Sequence, residues 1–295
     1  MASVAFIGLG NMGGPMAANL VKAGHKVIAF DLVAASRDQA KADGAAIAES
    51  SIASVKGADV VVTMLPAGKH VLLVWQEVVP AMEKGALIID CSTIDVESAK
   101  QAHALALKHG VGSIDAPVSG GTGGAKAATL TFMCGGDDKA FAAARPVLEK
   151  IGKKIVHCGG AGAGQAAKIC NNMILGISMI AVSEAFALAE KLGLSHQALF
   201  DVASTSSGQC WSLTSYCPVP GPVPASPANN DYRPGFASVL MVKDLTLAQD
   251  AAKAAGAATP LGKHAQEIYK AFDAAGNGGV DFSGIIQHVR GLAGK

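Results

Sequence analysis

The residues best suited to chemistry lie on a helical stretch that follows Gly162-Ala163-Gly164. There Gln165, Lys168 and Asn172 recur at spacings of three and four, which stack on one face of a helix. A lysine between two amides on an otherwise apolar helix is costly to bury without partners or a task. Withdrawal from water favours the neutral amine, so such a lysine could take a proton from a hydroxyl group and return it. The same side chain could equally snorkel, with its stem on the core and its ammonium in water, and the local sequence leaves both readings open. Lys243-Asp244 is a second charged pair, of a kind usually found on solvated surface. Cys170, between Ile169 and Asn171 with no histidine nearby, reads as a packing residue.

A second constellation opens the chain. Gly8-Leu9-Gly10-Asn11-Met12-Gly13 follows an apolar run and begins a helical pattern, and Asp31 ends the next apolar run. Glycines at these spacings permit a tight turn and close approach of backbone N–H groups to a pyrophosphate at a helix N-terminus. An acid at the end of the second strand is placed to accept hydrogen bonds from an adenosine ribose, and its charge repels the extra phosphate of NADP. NAD is therefore the expected cofactor. Arg37 is the one nearby residue that could pair with a phosphate, although a place on the solvated face of its helix is the simpler expectation.

These groups need a scaffold that brings them to one edge. Residues 4–8, 26–30, 59–65, 86–90 and 112–116 are nearly continuous apolar runs of strand length, separated by alanine-rich helical patterns at 15–23, 36–43 and 96–109. That alternation predicts parallel βαβ units in a doubly wound sheet. Residues 130–134 and 153–158 would add strands around a helix at 139–150. Ligands in such sheets bind outside the carboxyl ends of the strands. Met64-Leu65-Pro66, Cys91-Ser92-Thr93 and Asp115-Ala116-Pro117-Val118-Ser119-Gly120-Gly121 reach that edge. The first two would lie beside the nicotinamide ribose. The third joins a hydroxyl to glycine amides, which suits a small carboxylate.

Beyond about residue 160 strand signals do not return, and the pattern is helical through 191 and again at 195–204, 236–255, 261–274 and 282–292. The expected architecture is α/β: an N-terminal Rossmann-type doubly wound sheet, a long linking helix and an all-helical C-terminal domain. The expected domains are 1–162, binding NAD, and 163–295, for substrate and oligomerisation. Residues 217–234 hold six of the twelve prolines and should form an ordered loop, a candidate lid or partner contact.

Composition narrows the function classes. Hydrophobic residues make up 50% and charged residues 16%, with 24 basic against 23 acidic side chains, so neither disorder nor a nucleic-acid or anionic-membrane surface is expected. Six scattered cysteines without a CxxC pair point to a reducing compartment. Eight histidines without an HxxH or HExxH pattern give no reason to expect a metal. The longest apolar run, 173–182, is about half the length of a bilayer span. A cytoplasmic protein, or an organellar matrix protein in its mature form, is expected.

The ordered motifs FIGLGNMGGPMAANLVKAGH (6–25), DAPVSGGTGGAKAATLTFMCGG (115–136), GAGQAAKICNN (162–172) and KDLTLAQ (243–249) resemble the β-hydroxyacid dehydrogenase family from residue 4 to about 290. SSGQCWSLTSYCPVPG (206–221), ANNDY (228–232) and DFS (281–283) are most similar to its 3-hydroxyisobutyrate branch. The resemblance implies that Lys168 is the general acid/base, that Asn172 and its neighbour Asn171 position substrate, and that Ser119, Gly120 and Gly121 hold the substrate carboxylate. It implies that Gly8, Gly10, Asn11, Met12, Gly13 and Asp31 bind the nucleotide, and that Leu65, Pro66 and Thr93 contact its nicotinamide half. Lys243 would close over cofactor and substrate, and the chain would form a homodimer or homotetramer through its helical domain. The substrate would be a small β-hydroxy acid: 3-hydroxyisobutyrate, oxidised to methylmalonate semialdehyde in valine breakdown, or, in a sibling branch, L-serine or glycerate/tartronate semialdehyde. A non-catalytic NAD(P)-binding sensor is the rival from another class. Ala128 departs from the glycine usual in the family, and Arg233-Pro234 from a smaller polar–glycine pair.

Overall fold

The computed structural model of this chain describes residues 1–292, which form two compact units, Met1–Lys168 and the described residues from Ile169 onward. The first unit alternates strand and helix in chain order: β1 (Ser3–Ile7), α1 (Gly13–Lys22), β2 (Lys26–Phe30), α2 (Ala34–Ala42), β3 (Ala46–Ile47), α3 (Ser51–Val55), β4 (Val60–Thr63) and α4 (Gly68–Val78). Then come β5 (Leu87–Asp90), α5 (Val96–Lys108), β6 (Gly112–Asp115), β7 (Val118–Ser119), α6 (Gly121–Ala127), β8 (Leu130–Gly135), α7 (Asp138–Leu148) and β9 (Gly152–Gly159). The strands form one sheet in the order β3-β2-β1-β4-β5-β6-β8-β7, with β9 also paired to β8.

Alternate residues of the central strands enter opposite cores, as the two-residue period of a strand requires. Val4, Phe6, Val62 and Ile89 pack with Met16 and Leu20 of α1 and Ala144 and Leu148 of α7. Ala5, Ile7, Val61 and Ile88 pack with Val71 and Trp75 of α4 and Ala102 and Ala106 of α5. Both faces are covered, which is why these strands read as unbroken apolar runs. The sheet is parallel from β3 through β6. It then departs from the all-parallel expectation, because β8 runs antiparallel to both β6 and β7. Only the short α6 separates β7 from β8, too little chain for the crossover that parallel pairing needs.

One row of the register sets the geometry of the site. Ile7 pairs with Phe30 and Thr63, Thr63 with Asp90, and Asp90 with Asp115. The segments that follow these residues therefore leave the sheet at one level along its carboxyl edge.

Asp90 in that row is buried. Its Oδ1 accepts hydrogen bonds from the Thr63 hydroxyl (2.8 Å), the Ser92 hydroxyl (2.6 Å) and the Ser92 amide (3.3 Å), while Oδ2 has no hydrogen-bond partner among the described residues. Burial pushes the carboxyl up to about 6, against the pull of Ser92 and Thr63, and the neighbouring Asp115 pushes the same way.

The helix α8 (Ala163–Lys191) starts in the first unit and runs on into the second, which adds α9 (His196–Ala203), α10 (Trp211–Thr214), α11 (Ser238–Ala255), α12 (Pro260–Phe272) and α13 (Ile285–Leu292). By length and mean hydropathy (1.7) α8 could cross a membrane. Its apolar residues instead serve two cores: Met179 and Ile180 pack with Met241, Leu245 and Tyr269, and Val182 and Phe186 pack with Leu213, Val219 and Ile286. The proline-rich loop 217–234 belongs to the second core, where Cys217, Val219, Val223, Ala228 and Tyr232 are buried. Ser226 Oγ donates to the Cys217 carbonyl (2.6 Å) and Tyr232 Oη to the Pro218 carbonyl (2.8 Å), so the loop is a packed wall of its unit and not a free lid.

Ala128 ends α6 in the left-handed conformation (φ 55°, ψ 36°). That conformation costs a side-chain-bearing residue about 1–2 kcal/mol. Glycine there would lose about 0.4–1 kcal/mol to greater freedom of the unfolded chain, so strain is the larger effect. Ala128→Gly should raise stability by about 0.5–1 kcal/mol and Ala128→Val should lower it, as read from urea midpoints; a less stable glycine variant would contradict this account. Asp90 provides a pH test. Below about pH 6 the folded chain holds a proton on Asp90 that the unfolded chain releases down to its ordinary value of 3.8, so folding gains as pH falls through that window. Asp90→Asn is neutral throughout. The stability of Asp90→Asn relative to the native chain should therefore fall by about 1 kcal/mol between pH 8 and pH 5, and a pH-independent difference would show that Asp90 does not titrate there.

Candidate active site

The glycine loop joins β1 to α1. Gly8 has φ +96°, its N–H donates to the Phe30 carbonyl (3.0 Å), and a Cβ on it would lie 2.2 Å from the Met64 carbonyl oxygen. A Cβ on Gly10 would meet no protein atom within 4 Å. Gly8 is thus demanded by the fold, whereas Gly10 keeps clear a space that the protein itself does not fill. No side chain caps the start of α1 and no acid stands in its first turn, which suits the positive end of the helix to an anion. This cradle fits the pyrophosphate of NAD.

Asp31 braces the loop: Oδ2 accepts from the Leu9 amide (2.6 Å) and Oδ1 from the Val33 amide (2.8 Å). Its carboxylate is held at the end of β2, the level at which a ribose would meet it. Arg37 is half-buried on α2. Its Nη1 donates to the carbonyls of Asp31 (2.6 Å) and Leu32 (3.0 Å), so the guanidinium closes the turn behind the acid.

Leu65, half-buried, and Pro66, exposed, follow β4. The Leu65 amide donates to Ser92 Oγ (2.7 Å), which in turn donates to Asp90, so the buried carboxylate fixes where this segment leaves the sheet. Thr93 follows directly, half-buried. Gln165 joins the same edge: its Nε2 donates to the Ser92 carbonyl (2.8 Å) and its Oε1 accepts from the Ile94 amide (3.0 Å).

Lys168 is buried and does not snorkel: it is only 6% exposed, and its Nζ donates to the Val118 carbonyl (2.7 Å). Ser119, Gly120 and Gly121 follow Val118 immediately, so the amine stands at the root of the loop expected to hold a carboxylate. Asp115, quoted in the sequence only as part of a motif, proves central to this edge. Its Oδ1 accepts from the Gly162 amide (2.8 Å) and lies 2.9 Å from His103 Nε2, and its Oδ2 accepts from the Gln165 amide (2.9 Å). Ser113 Oγ lies 2.8 Å from His103 Nδ1.

In the second unit, buried Asn172 donates through Nδ2 to Asp244 Oδ2 (2.5 Å) and accepts through Oδ1 from Asn171 Nδ2 (2.9 Å). Asp244 is 3% exposed and Lys243 half-buried, so the charged pair is not solvated surface. Cys170, expected to pack, is exposed. Among the described residues no group of three His, Cys, Asp or Glu side chains is placed to hold a metal ion.

A buried amine at the root of a serine–glycine loop, on a sheet whose carboxyl edge also carries a nucleotide cradle, is equipped to move a proton while a dinucleotide handles the electrons. Residues 3–160 match a family described as the NAD-binding domain of 6-phosphogluconate dehydrogenase, and residues 162–289 one described as NAD-binding of NADP-dependent 3-hydroxyisobutyrate dehydrogenase. A probable 3-hydroxyisobutyrate dehydrogenase from Mycobacterium tuberculosis is 55% identical over 293 residues, 99% of each chain. An NAD-dependent L-serine dehydrogenase from Pseudomonas aeruginosa is 46% identical over 98% of each chain. The solved structure of the Mycobacterium tuberculosis 3-hydroxyisobutyrate dehydrogenase with L-serine superposes with a TM-score of 0.95, covering 98% of this chain and 99% of that one. This chain belongs to the NAD-dependent β-hydroxyacid dehydrogenases, the family that includes the 3-hydroxyisobutyrate dehydrogenases.

Proposed function

We propose that this enzyme oxidises 3-hydroxyisobutyrate to methylmalonate semialdehyde, a step of valine breakdown, with Lys168 as the general acid/base. The observation that carries the reading is the buried Lys168 Nζ on the Val118 carbonyl, one residue before Ser119-Gly120-Gly121. Ser119 and the two glycines take the substrate carboxylate, which leaves the hydroxyl two carbons further on within reach of the amine. Lys168 accepts the hydroxyl proton in oxidation and returns it in reduction. NAD, held by the glycine loop and Asp31, would supply the redox chemistry as the hydride acceptor for the hydroxyl-bearing carbon. Asn172, set by Asp244 and Asn171, orients the substrate, and Lys243 contacts the cofactor. Gly10 and Asp31 serve the pyrophosphate and adenosine ribose of NAD.

L-Serine is the competing substrate, favoured by the 46%-identical L-serine dehydrogenase and by the solved relative with L-serine. The two acids share a carboxylate and a primary hydroxyl and differ at the middle carbon, methyl against ammonium. Homo-oligomerisation through the second unit is also part of the proposal, supported by the exposed Ile174, Leu188 and Leu192.

Initial rates with each acid and with NAD or NADP test the assignment. We expect 3-hydroxyisobutyrate with NAD to give the largest kcat/KM; a preference for L-serine would move the chain to the sibling activity, and NADH binding without turnover would leave only a sensor. Lys168→Ala should lower kcat by about 100-fold or more with cofactor affinity kept, and near-native turnover would remove the lysine from the mechanism. Light scattering should give a dimer or tetramer, and a monomer at micromolar concentration would refute the association.

A further inference from the structure

The start of α8 lacks the usual local device for beginning a helix. Ser, Thr, Asp or Asn normally occupies the N-cap and accepts the free amides of the first turn, a contribution of about 1 kcal/mol. Here the preceding residues are Gly160, Ala161 and Gly162, which have no side-chain acceptor. The acceptor comes from β6 instead: Asp115, 2% exposed, takes the amides of Gly162 and Gln165 on its two oxygens. Its negative charge lies against the positive end of the helix, where a carboxylate is favoured. Asp115 is held in turn by His103 of α5, 9% exposed, whose other ring nitrogen faces Ser113. The chain Ser113–His103–Asp115 thus ends on the first turn of α8, and Lys168 stands one turn further along.

Resting on the reading of Lys168 as the acid/base, we propose that Asp115 is a positioning residue for Lys168, setting the start of α8 against the carboxyl edge of the sheet, with His103 and Ser113 orienting its carboxylate. Two side chains of the same helix depend on that placement. Gln165 reaches the Ser92 carbonyl and Ile94 amide, and Lys168 reaches the Val118 carbonyl. If the first turn shifts, the amine moves relative to the Ser119 loop, and a misplacement of about 1 Å can cost on the order of 100-fold in rate. The glycine loop, by contrast, hangs on Asp31, and the Leu65 segment on the Ser92 hydroxyl and Asp90, through hydrogen bonds that do not involve Asp115.

A double-mutant cycle tests the proposal. Asp115→Asn should lower kcat by about 10- to 100-fold while NADH affinity, read by fluorescence titration, changes less than about threefold. In the Lys168→Ala background Asp115→Asn should produce no further loss, because a residue that acts through the lysine has nothing left to position. His103→Ala, which spares the carboxylate and both helix amides, keeps the test open should Asp115→Asn fold poorly. It should lower kcat by about three- to tenfold, with the same disappearance in the Lys168→Ala background. Full additivity in that background, or unchanged kcat in Asp115→Asn, overturns the positioning role while leaving the lysine assignment intact. Near-native turnover of Lys168→Ala alone overturns the lysine assignment, and the positioning role falls with it.

Discussion

Asp90 and Asp115 occupy paired register positions at the ends of β5 and β6, and both are buried. A carboxylate removed from water persists only if donors replace the lost hydration, and two of them side by side raise the demand. Much of the site's rigidity follows from meeting it. The donors that answer Asp90 come from Thr63 and Ser92, and the Ser92 hydroxyl passes the constraint to Leu65. The donors that answer Asp115 come from His103 and from the first turn of α8. One pair of charges therefore ties together the ends of two strands, the segment after β4 and the helix that carries Lys168. Asp90 has one oxygen without a partner among the described residues, and burial pushes its carboxyl up to about 6.

The sequence made the sheet legible because burial on both faces leaves a period-free apolar run that few other elements produce. It made the glycine loop legible because spacing, preceding strand and following acid agree. It could not show the antiparallel turn at β8, which depends on how little chain lies between Ser119 and Leu130. Nor could it show β3, β7 and α3, since two to five residues are too few to display a period. Lys168 was visible as a candidate through its amide neighbours, but its burial was not: a lysine stem fits an exposed or a buried site equally well, and it is the fold that buries it with its amine on the Val118 carbonyl.

The side chains that sequence reasoning undervalued share one trait: their partners are remote along the chain. Asp115 meets residues 47 and 50 positions away, and Asp244, half of a pair of the kind usually found on solvated surface, meets Asn172 from 72 positions away. Arg37 shows a local contact of another kind. Its guanidinium turns back onto two backbone carbonyls, an interaction invisible to an argument based on helical faces. A usable signal for Asp115 did exist. A long helix opening with glycine and alanine and no side-chain cap must find its acceptor elsewhere, and a carboxylate ending a neighbouring strand is the natural donor-seeking group.

Capping α8 from β6 has a consequence that a local cap would not have. A serine or aspartate at the N-cap travels with its own helix, so the first turn could form and move independently of the sheet. With the acceptor on β6, the first turn is in place only when the β5–β6 edge is formed and Asp115 has found its amides. Hydrogen bonds to a charged group contribute about 1.5–3 kcal/mol each, more than a neutral cap supplies, so the coupling is strong as well as directional. Any motion that displaced α8 would also strip a buried carboxylate of its donors, leaving an uncompensated charge. The amine of Lys168 is thereby fixed to the same frame as Ser119, Thr93 and the glycine loop, and that frame is the carboxyl edge of the sheet.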